Sequence, residues 1–407
     1  MSLPFVTSAP GKVILFGEHS AVYDKRAIAA SINSLRTYLY TSENSNDDTI
    51  TLDFPDIELH HTWQHHTLAK IPPTSDHDSI EPHIANNILQ IIQESNIVNP
   101  LHINAAFCFL YLYKCLIPLQ SNIRFKLIST SPIGAGLGSS AAISVVLSHA
   151  MLHLSSNFNN NHTNITKDLI NKYAFLGEKC IHGNPSGIDN LVSTHGGAIS
   201  YQRNGDTRIL DINMNHTDLL LTYTKVPRST KTLVAHVKTL HDSMPQIIEP
   251  VLQSMHTIAI DAERLLLLSS SSQNDNTEGL AKLIAINQAL LQSLGVSHES
   301  IERVKLLSDN LGIGPTKLTG AGGGGCTFTL IQDKTHLSTF KEILNQDYQF
   351  ETIETQLGGP GCLIVPRTKL TPQHIEKIDI LFNGTDLSRS EIDEILLPGP
   401  NQFLPWD

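Results

Sequence analysis

The sequence is poor in basic residues. It has 28 Lys and Arg against 39 Asp and Glu, a net charge of −11, which disfavours nucleic acid or an anionic membrane as the main partner. No apolar run reaches the length of a membrane span, and no basic segment followed by a long apolar stretch opens the chain. We therefore expect a cytoplasmic protein with no nucleic-acid and no membrane partner.

Cysteine is also scarce. There are five cysteines, an odd number, and no C-x-x-C pair, so we expect reduced thiols that are mostly buried. The segment 60–82 holds five histidines among Pro and Thr. Their spacing fits no standard metal-ligand template, so we interpret it as a surface segment, with a metal site as the alternative.

The length of 407 residues and an apolar fraction of 40% predict about two globular domains. Short strand patterns alternate with helices up to about residue 226, and long helical patterns follow. We predict an α+β protein with domains at 1–227 and 228–407, interrupted by polar inserts at 155–166 and 269–278. We expect no chemistry in those inserts.

A glycine-rich stretch, PIGAGLGSSAA at 132–142, precedes a helical pattern. Glycine is costly to order, so Gly134, Gly136 and Gly138 indicate a tight turn or a close approach to the backbone. The N-terminus of a helix attracts anions, which favours a phosphate-binding nest. The alternative is a turn capped by Ser139 or Ser140 without any ligand.

Three known nucleotide-binding signatures do not fit this sequence. The third position of G-x-G-x-x-G falls on Ser139 in this stretch, and the matching run at 320–325 leads into a strand instead of a helix. A Walker A motif and the protein-kinase HRD and DFG signatures are absent from the sequence. Because neither glycine run fits the dinucleotide-binding motif, the sequence disfavours a dinucleotide oxidoreductase.

Charged residues accompany three glycine-containing motifs. Lys12 begins PGKVILFGEH, where a solvated charge at a strand end is the alternative to a functional lysine. Glu178 lies on a predicted helix, and Asp189 follows in SGIDN, where Ser186 and Asp189 could instead form a helix capping box. The third motif, KLTGAGGGGC at 317–326, offers a surface free of side chains for a close approach.

Taken together, PGKVILFGEH, PIGAGLGSSAA and KLTGAGGGGC resemble the three signature motifs of the GHMP kinases. GEHSAVY, GEKCIHGNPSGIDN and TKVPRSTKTLVA are similar to the mevalonate kinases of fungi. The resemblance implies a two-domain fold, with an N-terminal domain like ribosomal protein S5 domain 2 and a ferredoxin-like C-terminal domain. It also implies ATP and Mg²⁺ as cofactors and phosphorylation of the C5 hydroxyl of mevalonate.

The resemblance assigns a role to each matching residue. Asp189 matches the catalytic base and Lys12 the lysine beside the reacting hydroxyl, while Ser140 and Glu178 match the Mg²⁺ ligands. The ATP contacts would be Lys12, Ser129, Gly134, Ala135, Gly136, Leu137, Gly138, Ser139, Ser140 and Ala141. The mevalonate contacts would be Glu18, His19, Asp189, Arg228 and Thr230. Arg228 suits the carboxylate of mevalonate because a guanidinium binds two oxygens at once.

Other expectations follow from the resemblance alone. They are a homodimer, inhibition by isoprenyl diphosphates that compete with ATP, and packing of the third motif against the active site, where it would stabilise the phosphate loop. Phosphomevalonate kinase is the nearest rival enzyme, and a non-catalytic ligand sensor on a kinase fold is a rival of another class. Both remain open from the sequence.

Overall fold

Two β-sheets organise the chain in this computed structural model, which describes residues 3–44, 48–74, 76–117, 122–132, 134–158, 164–210, 217–268, 273–384, 387–399 and 402–407. In chain order the strands are β1 (Phe5–Phe16), β2 (Ala27–Glu43), β3 (Thr49–Phe54), β4 (Leu59–Gln64), β5 (Ile123–Ser129), β6 (Ala198–Tyr201), β7 (Thr207–Leu210), β8 (Asp218–Tyr223), β9 (Thr316–Leu318), β10 (Cys326–Leu330), β11 (Glu351–Gln356) and β12 (Leu363–Val365).

Helices cover these sheets. They are α1 (His65–Leu68), α2 (Pro82–Glu94), α3 (Pro100–Leu116), α4 (Ser139–Phe158), α5 (Lys167–His182), α6 (Ile188–His195), α7 (Thr230–Ser243), α8 (Pro245–Leu267), α9 (Gln273–Ser293), α10 (Glu299–Leu311), α11 (Leu337–Gln346), α12 (Pro372–Asn383) and α13 (Arg389–Leu396). The polar inserts expected at 155–166 and 269–278 lie partly outside the described residues.

The first sheet has the order β12-β1-β2-β5-β3-β4, with β6 paired to β2 and β7 to β6. Most pairs are antiparallel, but β3 runs parallel to β5. Both faces of β1 are covered: Phe5 and Ala9 pack with α3 and α4, while Val6 packs with α12 and α13. The strand is therefore buried along nearly its whole length.

Helix α4 lies in the core behind the glycine-rich stretch. Val145, Val146, Ala150 and Met151 on different sides of the helix are fully buried, as expected of a helix that is apolar all round. Burying one Val or Met side chain stabilises the folded protein by about 1.5–3 kcal/mol. The packing therefore fixes where the N-terminus of α4 lies.

The second sheet has the order β11-β8-β10-β9. Leu221 of β8 and Phe328 of β10 share one buried cluster with Val13 and Leu15 of β1. The hydroxyl of Thr319, just after β9, accepts a hydrogen bond from the Ile14 N–H at 2.9 Å. The two sheets are thus joined where the first and third glycine motifs meet.

The strand pairing crosses the domain boundary expected at 227/228. Strand β8 precedes that boundary but belongs to the second sheet. Strand β12 follows it but pairs with β1, and helices α12 and α13 pack on the first sheet with Tyr38 and Tyr40. Each sheet therefore contains a segment from the other side of the expected boundary.

All five cysteines are free, and Cys108, Cys326 and Cys362 are buried. The histidine-rich segment forms β4 and α1, and Trp63 anchors it in the core. Among the described residues, no helix combines the length and the apolar character that crossing a membrane requires.

Candidate active site

The glycine-rich loop lies between β5 and α4. Gly134, Gly136 and Gly138 have φ angles of 74°, 85° and 77°, in the left-handed region that favours glycine. A Cβ on Gly138 would lie 2.9 Å from Cγ of Lys12, so this glycine lets the lysine pass beside the loop. The backbone then enters α4 at Ser139, where the N–H groups and the helix dipole attract an anion.

Lys12 joins the first strand to this loop. It lies inside β1 and is only 4% exposed, so it is not a solvated charge at a strand end. Its backbone N–H donates to the Leu137 carbonyl at 2.8 Å, and its ammonium donates to the Gly136 carbonyl at 3.4 Å. The same ammonium lies 3.2 Å from Oδ2 of Asp189.

Asp189 is in the first turn of α6. This helix begins at Ile188. Its N-cap residue is Gly187, which has no side chain to bond the first turn. The carboxylate of Asp189 therefore does not close the capping box that the sequence allowed. It faces Lys12 instead and keeps about a third of its side chain exposed, which leaves it accessible to a ligand.

Glu178 projects from α5 and is almost fully buried, with 3% exposure. Its Oε1 atom has no hydrogen-bond partner among the residues that the structure describes. Burial and the nearby charge of Asp189 raise the pKa of Glu178 to about 7, although Ser140 and Lys12 oppose the shift. An unpaired buried carboxylate oxygen is costly, which suggests that it serves a ligand.

Glu178 and Ser140 fit a bound Mg²⁺. The Ser140 hydroxyl lies 3.1 Å from Nε2 of His182, and that ring nitrogen lies 4.0 Å from Oε2 of Glu178. Among the described residues no three His, Cys, Asp or Glu side chains gather into a metal site. Mg²⁺ is commonly held by one or two carboxylates together with phosphate oxygens of a substrate, so the small donor set is consistent with it.

Arg228 lies between the glycine-rich loop and the third glycine motif. Its Nη2 donates to the Ala135 carbonyl at 3.2 Å. A Cβ on Gly136 would collide with Nη2, and one on Gly325 would lie 2.5 Å from Nε. Nε and Nη1 are buried and have no partner within the described part of the chain, and burial lowers the pKa of Arg228. The unpaired donors suit an anionic group of a ligand.

Glu18, His19 and Thr230 are the other residues predicted to contact the substrate. The Glu18 side chain has no exposed surface and is ion-paired with Lys317, so its carboxylate is held by the protein although the residue borders the cleft. The ring of His19 donates from Nε2 to the Ala321 carbonyl at 2.8 Å. Thr230 is exposed at the start of α7.

These residues surround one cleft of about 700 Å³, a size suited to small ligands. The predicted site residues that line it are Lys12, Glu18, His19, Gly134, Gly136, Gly138, Ser139, Ser140, Glu178, Asp189, Arg228 and Thr230. Four predicted ATP contacts are not among its lining residues: Ser129, Ala135, Leu137 and Ala141. Ser129 lies at the end of β5, where its hydroxyl is 3.2 Å from that of Thr37.

The sequence interpretation missed several residues of the cleft. His182 lies four positions after Glu178 on α5, a helical spacing that would have identified it. Asn104, Tyr201 and Arg203 also line the cleft, but they come from separate segments without a local motif. Lys317, the partner of Glu18, was seen only as the first residue of a glycine motif.

Comparison with known proteins agrees with this geometry. Residues 102–197 match the family model described as the GHMP kinases N terminal domain, and residues 268–349 match GHMP kinases C terminal. The mevalonate kinase of Saccharomyces cerevisiae is 43% identical over 100% of both chains. That of Candida albicans is 42% identical over 89% of this chain and 90% of its own, and the human one is 34% identical over 93% and 99%.

Solved structures show the same fold. Mevalonate kinase from Methanococcus jannaschii has a TM-score of 0.65 at 24% identity, over 86% of this chain and 98% of that one. The L. major mevalonate kinase in complex with R-mevalonate has a TM-score of 0.64 at 24% identity, over 86% and 95%. At 24% identity, this similarity shows a shared fold and does not extend to the function.

The fold, the matched family models and the similarity to curated relatives show that the chain belongs to the GHMP kinases. The predicted two-domain α+β architecture of that class is thereby confirmed. Within the class, full-length identity of 43% to a fungal enzyme shows that the chain belongs to the mevalonate kinase family.

Proposed function

We propose that this protein transfers the γ-phosphoryl group of ATP to the C5 hydroxyl of mevalonate, a step of isoprenoid precursor synthesis. The observation that carries the proposal is the Lys12–Asp189 pair, with its 3.2 Å separation, placed beside a glycine-rich loop at the start of a buried helix. A carboxylate and an ammonium at a phosphate site are what an alcohol phosphotransfer requires.

Asp189 is the proposed base. Its carboxylate accepts the C5 hydroxyl proton as the C5 oxygen attacks the γ-phosphorus, and the bond from that phosphorus to the bridging oxygen of ADP breaks. Lys12 favours both the ionised carboxylate and the negative charge that develops on the alcohol oxygen. Because Lys12 is nearly buried, its charge acts with little screening by water.

The glycine-rich loop holds the nucleotide. Backbone N–H groups of 136–140 and the N-terminus of α4 face the phosphates, so charge is neutralised without mobile side chains. Glu178 and Ser140 would hold Mg²⁺, which when bound neutralises phosphate charge and orients the γ-phosphoryl group. The unpaired Oε1 of Glu178 supports this role.

The acidic end of mevalonate is assigned to Arg228. Its unpaired Nε and Nη1 atoms supply the donors that a carboxylate needs. His19 and Thr230 line the same part of the cleft. Glu18 supports this region from behind, because its carboxylate is enclosed.

The test is ADP release by the purified protein with mevalonate, phosphomevalonate or galactose, each with and without Mg²⁺. We expect Mg²⁺-dependent release with mevalonate only. Preference for phosphomevalonate would favour the rival enzyme, and no release with any substrate would favour a ligand sensor. The homodimer, the inhibition by isoprenyl diphosphates and the cytoplasmic location stay predictions, and size-exclusion chromatography tests the first.

A further inference from the structure

Lys317, in β9, is a fully buried lysine that the proposed chemistry does not use. Its side chain has no exposed surface. The ammonium is bound to Oε1 of Glu18 and donates to the Leu318 carbonyl at 2.8 Å. It also lies 5.1 Å from the centre of the Phe328 ring. The charge of Lys317 is therefore held by Glu18, the Leu318 carbonyl and the Phe328 ring.

Glu18 is the link from Lys317 to the first motif. Its other oxygen, Oε2, accepts a hydrogen bond from Nδ2 of Asn287 at 3.3 Å. Burial raises the pKa of Glu18, and Lys317 opposes the shift. The carboxylate is thus held on both oxygens by residues 269 and 299 positions away in the chain, which fixes the backbone that carries it.

The next residue, His19, has a strained backbone. Its φ and ψ angles are 61° and −44°, and the Ser20 N–H donates to the Glu18 carbonyl at 2.7 Å. This is a γ-turn with positive φ, which is rare for a residue other than glycine. Such a conformation persists only where the surroundings hold it in place.

The third glycine motif holds this turn on both sides. Glu18, before the turn centre, is bound by Lys317, and the His19 ring is bound by the Ala321 carbonyl at 2.8 Å. Since a carbonyl can only accept, Nε2 of His19 carries the proton. His19 is 7% exposed and lines the cleft. His19, which borders the cleft, is therefore oriented by the buried Lys317–Glu18 pair and by the Ala321 carbonyl.

We propose that Lys317 is a positioning residue for the substrate side of the cleft: together with the Ala321 carbonyl, it clamps the strained turn so that His19 faces mevalonate. The third motif thus acts on the alcohol substrate through the first motif, besides packing beside the phosphate loop. This inference rests on the proposed function, since it assumes that His19 contacts mevalonate.

The central variant is the double substitution Glu18→Gln/Lys317→Met. It removes both charges at once, so no carboxylate is left buried without a partner, and folding should be largely preserved. Lys317→Met alone leaves the buried Glu18 carboxylate without its ionic partner, so it should also lower the melting temperature. Lys341→Met, which breaks the exposed pair with Glu354 in the same part of the chain, is the matched control.

In the double variant we expect the KM for mevalonate to rise about tenfold, while the KM for ATP stays within about twofold of the wild-type value. Tenfold corresponds to about 1.4 kcal/mol, within the range of a strained backbone conformation. The imidazole NMR signals of His19, assigned with a His19→Asn variant, should also shift. Lys341→Met should change none of these quantities.

An unchanged KM for mevalonate and unchanged His19 signals in the folded double variant would overturn the proposal. Equal increases in both KM values would also overturn it, because they would indicate a merely structural role. If the wild-type protein does not phosphorylate mevalonate, the proposed function fails instead. The NMR comparison still tests the clamp in that case.

Discussion

Alanine at Gly136 should damage the site far more than alanine at Gly134. Both glycines have a left-handed φ, 85° and 74° respectively. A Cβ at Gly136 would collide with the guanidinium of Arg228, whereas a Cβ at Gly134 would meet no atom of a described residue within 4 Å. The two variants therefore share the backbone strain and differ in the contact with Arg228.

The expected magnitudes follow from this difference. A left-handed alanine costs about 1 kcal/mol, and both variants bear that cost. Gly136→Ala must also displace Arg228 from the Ala135 carbonyl, where the hydrogen bond is 3.2 Å long. A hydrogen bond to a charged group contributes about 1.5–3 kcal/mol. We therefore expect the free energy of unfolding to fall by about 1 kcal/mol in Gly134→Ala and by about 3 kcal/mol in Gly136→Ala.

The assay is kcat/KM for mevalonate, with urea unfolding to follow stability. If the contact serves substrate binding, Gly136→Ala should lose about 30-fold more in kcat/KM than Gly134→Ala, the equivalent of about 2 kcal/mol. Equal losses in the two variants would refute the reasoning, because the contact with Arg228 is what distinguishes the two positions among the described residues.

Two further predictions concern charged groups of the cleft. Arg228→Lys should raise the KM for mevalonate more than that for ATP, because an ammonium replaces a two-pronged donor; steady-state kinetics that show equal increases would contradict a role at the substrate carboxylate. Burial raises the pKa of Glu178 from 4.5 to about 7, so the metal-free folded protein holds this proton more tightly than the unfolded chain. The resulting stability, about 3 kcal/mol, is complete below about pH 4.5 and is lost as the pH rises through about 7. Glu178→Gln should therefore melt above the wild type in EDTA at pH 8, and the gap should close toward pH 4.5. Equal melting temperatures at pH 8 would exclude the raised pKa.

Local patterns predicted much of the fold. The pattern after the glycine-rich stretch predicted a helix, and α4 spans Ser139–Phe158. The pattern could not predict that β12 returns to pair with β1, because a short strand takes its partner from tertiary packing. The sequence of β8 likewise does not indicate which sheet the strand joins.

The candidate site could be predicted where a charged residue lies within a recognisable glycine-containing motif. Three motifs separated by more than a hundred residues meet around Lys12 and Asp189. The enclosed state of Glu18 was not predictable, since its partner Lys317 is 299 positions away. Nothing in the local sequence distinguishes a carboxylate that faces a ligand from one that is bound to a buried lysine.

The most direct test of the proposed chemistry is the turnover of Asp189→Asn with mevalonate, measured with its nucleotide affinity by calorimetry. Asparagine keeps the size of the side chain but cannot accept the hydroxyl proton as a base. We predict that kcat falls by about a hundredfold or more, as general-base contributions of this kind suggest, while nucleotide affinity stays near the wild-type value. Near-normal turnover would contradict the assignment of Asp189 as the base that acts beside Lys12.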